Sequence, residues 1–160
     1  MPKITPNLWF DNQAEEAAAF YCSVFPNSRI GFVSHYPEGA PGPAGTVMTV
    51  SFELDGQPFV AINGGPEFQF DEAVSLEIDC DTQEDVDHYW ERLAEGGKEM
   101  HCGWLKDRYG FSWQVVPRGM EELFGDTDTE RAGRAMQAML GMVKLDIAEL
   151  KRAADGVPAS

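Results

Sequence analysis

The stretch Trp104-Leu-Lys-Asp-Arg-Tyr-Gly-Phe-Ser-Trp-Gln-Val-Val-Pro117 is typical of two β-strands joined by a tight turn. The glycine in the middle suits the positive φ that such turns require. After the turn, polar Ser112 and Gln114 alternate with apolar Trp113 and Val115. This alternation predicts a strand with one face on a hydrophobic core and the other face carrying polar groups.

This hairpin ends a pattern that occurs twice along the chain. In the first half, strands are predicted at 4–10, 29–36, 46–54 and 58–63. A helix follows the first strand, with Asn12 as its predicted N-cap and Glu15 as the capping partner. The remaining strands are separated by a loop rich in proline and glycine and by a tight Asp-Gly turn.

The second half repeats this order. A strand at 74–80 is followed by a helix capped by Thr82 and Asp85, and then by shorter strands near 98–101, 104–106 and 111–116. An offset of about 70 residues brings the apolar and capping positions of one half onto those of the other. The pattern therefore predicts one β-α-β-β-β unit that has been duplicated.

The last forty or so residues have a helical character. Thr127 or Asp128 can cap a helix, and Asp146 can cap a shorter one that runs to residue 154. We expect this C-terminal extension to cover part of a sheet or to contact a partner subunit.

Composition excludes several classes of function. The 160-residue chain has a net charge of −15 and no basic stripe, which disfavours nucleic acid as a partner. No apolar run has the length of a membrane span, so no membrane association is predicted. Three cysteines at unrelated spacings argue against a disulfide framework and favour the cytoplasm.

Several local motifs point to a known superfamily. They are Trp9-Phe-Asp11, Phe20-Tyr21, Val24-Phe-Pro-Asn-Ser28, Phe59-Val-Ala-Ile-Asn-Gly-Gly-Pro66 and the hairpin 104–117. Together with the duplicated unit, they resemble the PhnB-like branch of the vicinal-oxygen-chelate (glyoxalase/bleomycin-resistance) superfamily, often labelled 3-demethylubiquinone-9 3-methyltransferase.

The resemblance implies an α+β fold of two βαβββ (glyoxalase-like) modules, each forming a half-cup sheet, plus C-terminal helices. The modules would span 3–66 and 72–117 and the helical extension 118–154, within a single structural domain. The family also implies a homodimer.

The sequence does not support the methyl-transfer chemistry in that label. Transfer from a nucleoside sulfonium donor usually needs a glycine-rich turn that opens a helix. Here the glycine-rich segments 39–45 and 63–65 both connect strand-like segments. Whether the chain is an enzyme is left open by the sequence.

The resemblance further implies a divalent metal held by histidine on the first strand of each module and glutamate on the last strand. The matching positions lie near 5–7 and 73–75, which contain no histidine, and at Gln114. Glu77 could supply one carboxylate, but an amide and hydroxyls are weak ligands beside imidazole and carboxylate. His35, His88 and His101 are predicted to lie outside the cup. The sequence therefore predicts no cofactor and disfavours a catalytic metal.

Polar and aromatic side chains nevertheless converge on the predicted cup faces, and these are candidate ligand-binding residues: Asn7, Trp9, Asn63, Trp104, Ser112 and Gln114. The favoured function is binding of a small molecule in the cup without the usual metal triad. One alternative is an enzyme of lyase, dioxygenase or transferase type that uses Glu77, Gln114 or Arg108. Another is a non-catalytic assembly or interaction protein. The role of Cys102 is left open.

Overall fold

Two β-α-β-β-β modules and a helical extension make up the computed structural model, which describes residues 3–159. The first module contains β1 (Asn7–Phe10), α1 (Ala14–Val24), β2 (Arg29–His35), β3 (Val47–Leu54) and β4 (Gln57–Asn63). The second contains β5 (Ser75–Cys80), α2 (Gln83–Ala94), β6 (Lys98–Glu99), β7 (Trp104–Lys106) and β8 (Ser112–Pro117). The extension contains α3 (Met120–Phe124), α4 (Thr129–Leu140) and α5 (Ile147–Ala154).

The first module lies in a unit that ends at Phe70, and the second module and the extension lie in a unit that begins at Asp71. The elements fall inside the predicted ranges 3–66, 72–117 and 118–154. The assignment of all three to a single structural domain stays a prediction.

Both sheets have the same topology, which confirms the fold class and the duplication. Their strand orders are β1-β4-β3-β2 and β5-β8-β7-β6. In each module the first strand pairs in parallel with the last, and the other pairs are antiparallel. The first strand therefore lies at a sheet edge, where Pro6 just before β1 removes no ladder hydrogen bond.

The core of the first module lies between its sheet and α1. The rings of Tyr21 and Phe52 stack with centroids 6.3 Å apart, and those of Phe52 and Phe59 with centroids 5.3 Å apart. Burying an apolar side chain of this size contributes about 1.5–3 kcal/mol. Leu8 and Phe10 of β1 are buried with this core. Because side chains alternate along a strand, Asn7 and Trp9 belong to the opposite face.

The predicted start of the first helix was wrong. Gln13 is the N-cap of α1 and makes no side-chain capping bond. Instead, the side-chain oxygen of Asn63, at the end of β4, accepts a hydrogen bond from the Ala14 amide at 2.8 Å. The amide nitrogen of Asn63 donates to the Val47 carbonyl at 3.1 Å. A distant residue therefore satisfies the helix terminus that Asn12 was expected to cap.

The predicted start of the second helix is confirmed. Thr82 accepts a hydrogen bond from the Asp85 amide, and the Asp85 carboxylate accepts one from the Thr82 amide. Val86, Trp90 and Leu93 form the buried side of α2. The capping box thus fixes the helix register that places these three side chains in the core of the module.

A buried carboxylate holds the β7–β8 hairpin. Asp107, only 2% exposed, accepts hydrogen bonds from the Tyr109 and Phe111 amides at 2.8 and 3.1 Å. Its other carboxylate oxygen accepts one from the Trp113 indole at 2.8 Å. Gly110 has φ +84°, as the sequence predicted for this turn.

The C-terminal extension is attached to the second module by main-chain hydrogen bonds. The Cys102 and Gly103 amides donate to the Met142 and Val143 carbonyls at 2.9 and 2.8 Å. The amide group of Gln83 donates to the Leu145 carbonyl at 3.1 Å and accepts from the Ile147 amide at 2.9 Å.

The extension also has a small core of its own. Met120, Leu145 and Leu150 form a buried cluster, and Val116 at the end of β8 packs against it. Asp128 and Asp146 cap α4 and α5, as predicted, whereas the short helix α3 was not predicted. Among the helices in residues 3–159, none is both long and apolar enough to cross a membrane.

Candidate functional site

The strand register brings three of the predicted site residues into one row. In the second sheet, Gln114 lies between Glu77 on β5 and Trp104 on β7. Paired residues on neighbouring strands project from the same face, so the three side chains share the face opposite Trp113 and Val115. We call this surface the module-two face: Glu77, Gln114 and Trp104, with the neighbouring row Ser75, Ser112, Lys106 and Lys98.

The neighbouring row brings two cations to this face. Lys106 pairs with Lys98 across the β6–β7 ladder, and its ammonium lies 2.5 Å from a carboxylate oxygen of Glu72. The hydrogen bond from Lys106 lowers the pKa of Glu72, and the positive charge of Lys98 acts in the same direction. Since one carboxylate faces two lysines, this corner of the face is locally positive in a chain of net charge −15.

Gln114 and Ser112 lie between Glu77 and the lysines, and they differ in whether a hydrogen-bonding atom is left for a ligand. The Gln114 amide donates to the Ser75 hydroxyl at 2.9 Å, so its carbonyl oxygen stays available as an acceptor. Ser112 is fully buried, and its hydroxyl donates to the Asp71 carbonyl at 3.2 Å. Gln114 can therefore contact a ligand, whereas Ser112 anchors the segment that enters β5.

The predicted residues of the first module lie in a different unit. Asn7 and Trp9 share one face of β1, and the Asn7 amide donates to the Thr5 carbonyl at 3.0 Å. The Trp9 indole donates to the Gly65 carbonyl at 2.9 Å, and Phe68 packs edge-on against its ring with centroids 5.0 Å apart. The loop after β4 thus folds over Trp9.

Gly64 is part of this contact, because a Cβ atom there would lie 2.2 Å from the Trp9 ring. Trp9 is therefore held in place by its own module. Its predicted role in ligand binding is not tested by these contacts.

The two other predicted residues occupy structural positions. The side-chain amide of Asn63 accepts a hydrogen bond from the Ala14 amide and donates one to the Val47 carbonyl. The main-chain carbonyl of Asn63 accepts a third hydrogen bond, from the Tyr36 hydroxyl. Arg108 is exposed in the β7–β8 turn, and neither residue lies on the module-two face. Their predicted ligand-binding and catalytic roles stay predictions.

The metal triad that the resemblance implies would involve the positions of Glu77 and Gln114 on the module-two face, and its predicted absence stays a prediction. Glu77 is accompanied in its row by an amide and an indole, which are poor donors for a divalent cation. Within residues 3–159, no three His, Cys, Asp or Glu side chains are grouped so that they could hold a metal ion. His35, His88 and His101 are all exposed, at the end of β2, on α2 and between β6 and β7.

Cys102 makes a structural contact. It has φ +59°, its amide bonds to the Met142 carbonyl, and its thiol lies 3.5 Å from the Met139 carbonyl. It therefore helps to attach the C-terminal extension.

The two lysines of the module-two face were missed by the sequence reasoning. Lys106 does follow Trp104 at the alternate position of one strand, so strand parity alone places it on the same face. Lys98 could not have been placed this way, because its strand has only two residues and its register depends on β7.

Comparison with solved structures shows which known fold the chain adopts. FosX, the fosfomycin resistance protein from Listeria monocytogenes, matches with a TM-score of 0.53 at 15% identity, over 76% of this chain and 97% of that one. Protein PA1353 from Pseudomonas aeruginosa matches with a TM-score of 0.61 at 20% identity, over 73% and 98% of the two chains. The duplicated module and these matches show an α+β fold of two glyoxalase-like modules.

The sequence then identifies the family and, through it, the vicinal-oxygen-chelate superfamily. The chain belongs to the PhnB-like family described as 3-demethylubiquinone-9 3-methyltransferase, whose sequence pattern matches residues 2–116. The PhnB protein from Bacillus cereus, which carries the same family description, is 39% identical over 72% of this chain and 99% of its own, with a TM-score of 0.66. A comparison with curated protein sequences found no match. The whole C-terminal extension lies beyond the family match, which ends at residue 116.

Proposed function

We propose that this PhnB-like protein binds a small aromatic molecule with an acidic group on the module-two face. The observation that carries the proposal is the register that places Trp104, Gln114 and Lys106 side by side. An indole ring offers a flat surface on which an aromatic ring can stack. The Gln114 carbonyl offers an acceptor, and the two lysines attract an anionic group.

The charge on this face supports the choice of an acidic ligand. Lys106 pairs with Glu72, whereas Lys98 makes no ion pair with any residue in 3–159, so one positive charge is left to bind an anionic group. Glu77 lies in the same row as Trp104, on the far side of Gln114, and would repel an acid that bound in the reverse orientation. The ring is therefore oriented over Trp104, with its acidic group towards the lysines.

A thermal-shift screen of small aromatic acids, with the amide of each acid as a neutral partner, tests the proposal. We expect acids to stabilise the protein more than their amides. Trp104→Ala should weaken binding about tenfold, the loss of one stacking contact. Lys106→Gln should weaken the binding of the acids until it equals the binding of their amides. Phe68→Ala is the matched control, because it removes an exposed ring from the loop after β4 in the other unit.

No stabiliser across the screen, or equal responses of the wild type and Trp104→Ala, would refute the proposal.

A second candidate function is catalysis with Glu77 as a general base. Glu77 is exposed and makes no ion pair with any residue in 3–159. If Glu77 is a general base, the protein should convert a bound ligand chemically. The Glu77→Gln variant should then bind the ligand as tightly as the wild type but should not convert it.

We also propose that the protein works as a homodimer in the cytoplasm. Ile30 and Phe32 are 43% and 74% exposed on β2, an edge strand of the first sheet, and such apolar edges favour association. The free thiols of Cys22, Cys80 and Cys102 fit a reducing compartment. Light scattering on the wild type should give twice the mass of the chain, and Phe32→Asp should give a monomer. A wild-type monomer would refute the dimer.

A further inference from the structure

A cavity lies within the C-terminal extension, away from the module-two face. It has a volume of about 460 Å³ and lies between the end of β8, α3 and α5. This volume is in the range of about 300–1,000 Å³ that small-molecule sites occupy. None of its lining residues belongs to the module-two face.

One wall of the cavity is apolar. Met120 and Leu150, which are 8% and 1% exposed, also belong to the buried cluster of the extension. Leu123 on α3 and Ile147 on α5 are half-buried and complete this wall. A ligand with an apolar body can therefore displace water from this surface, at about 25 cal/mol for each Å² that is buried.

On one side of the cavity, the charged side chains neutralise one another in ion pairs. Arg131 contacts both Asp126, at 3.1 Å, and Asp155. The guanidinium and its two carboxylates satisfy one another, so this cluster closes one side of the cavity.

Two cations remain available on the other side. Lys151 on α5 makes no ion pair within the part of the chain that the structure describes. Arg118 uses one terminal nitrogen on Asp81, at 2.5 Å, and both side chains are more than half exposed. A guanidinium has five N–H groups, so Arg118 retains donors for a second acceptor. Glu122 is the one lining carboxylate outside the Arg131 cluster.

We propose that this cavity is a second binding site, for a small monocarboxylate with an aliphatic body. The aliphatic part packs on the apolar wall, and the carboxylate binds Lys151 and the free donors of Arg118. The family match ends at residue 116, so every lining residue lies beyond it. The site therefore belongs to this chain's extension and is independent of the function proposed for the module-two face.

The experiment compares three probes of one chain length: octanoate, octanol and octylamine. Titrations of the ¹⁵N-labelled protein, followed by amide chemical shifts, show both where and how tightly each probe binds. We expect octanoate to bind more tightly than octanol and octylamine, with shifts concentrated in residues 117–126 and 147–155. Lys151→Gln should weaken octanoate about fivefold, as for one partly exposed charge pair, and leave octanol unchanged.

Lys3→Gln is the matched control, because it removes an exposed lysine from the other unit and should leave octanoate binding unchanged. Leu123→Trp, which fills the cavity, should abolish the shifts of all three probes. Octylamine binding as tightly as octanoate would overturn the carboxylate preference, and shifts centred elsewhere would overturn the site. Trp104→Ala should not alter octanoate binding, so failure of this proposal and failure of the module-two proposal can be told apart.

Discussion

Replacing Asp107 with asparagine tests the hydrogen-bond arrangement of the β7–β8 hairpin. One carboxylate oxygen accepts from the Tyr109 and Phe111 amides, and the other accepts from the Trp113 indole. Asparagine can keep its oxygen on the two backbone amides, but its NH₂ group then faces the indole N–H. Two donors oppose each other at a site that is 2% exposed.

The expected loss of stability follows from these contacts. A hydrogen bond to a charged acceptor contributes about 1.5–3 kcal/mol, and a buried donor left without a partner costs about 1–3 kcal/mol. We expect Asp107→Asn to lower the free energy of unfolding by about 3 kcal/mol. In a Trp113→Phe background the opposed donor is absent, so the same change should cost only about 1 kcal/mol, which is a coupling of about 2 kcal/mol.

Urea unfolding followed by far-ultraviolet circular dichroism measures all four proteins of this cycle without relying on tryptophan emission. Asp55→Asn is the control: Asp55 is an exposed turn residue with φ +47°, which asparagine tolerates, so its stability should change by less than about 0.5 kcal/mol. If Asp107→Asn costs the same with Trp113 as with phenylalanine, the assigned indole hydrogen bond is refuted.

Three further predictions concern single residues. Burial raises the pKa of the Cys80 thiol to about 12. The unfolded thiol ionises at lower pH, so stability should fall as the pH rises from about 9 towards 12; Cys80→Ala should flatten this dependence in urea titrations, and an unchanged slope would contradict it. Asn63→Ala should cost about 2 kcal/mol, whereas Asn63→Asp keeps the acceptor for Ala14 and should cost less; equal losses in thermal unfolding would argue against the cap. Gln83→Ala removes both hydrogen bonds to the segment before α5, so hydrogen exchange in α5 should speed up while exchange in α1 stays unchanged; exchange that rises equally in both helices would indicate general destabilisation instead.

Features set by neighbouring residues were predicted from the sequence. The Asp55-Gly56 turn, with φ of +47° and +80°, and the capping box of Thr82 and Asp85 depend only on residues within a few positions. The caps at Asp128 and Asp146 were found for the same reason. The duplication was found because the positions of such signals repeat at one offset.

Features set by distant residues were not predicted. Asn63 replaces Asn12 at the start of α1 because β4 ends beside that helix, 49 residues away in sequence. The irregular pairing near Gly31 is held by Ser51, whose hydroxyl accepts a hydrogen bond from the Phe32 amide at 2.7 Å. No local pattern contains these partners.

The same contrast between neighbouring and distant residues applies to the candidate site, of which only a part was predicted. Strand alternation placed Gln114 on the face opposite Trp113, but pairing with Glu77 and Trp104 required the register of two ladders. Ser112 had the correct parity, yet its hydroxyl bonds to the Asp71 carbonyl. Parity indicates which face a side chain occupies, whereas its availability depends on partners that parity does not reveal.

The parallel pairing of the first and last strands in each module determines the order in which the chain can fold during synthesis. Asn7 pairs with Val60, so β1 has no strand partner until almost the whole first module has been made. The first sheet can then close before β8, on which β5 depends, has left the ribosome. Contacts so distant in sequence form slowly, and the exposed edge of β5 is most vulnerable to aggregation in this interval. A pause in translation before β8 has left the ribosome would lengthen that exposure, because Ser112 to Pro117 is the strand that pairs with β5.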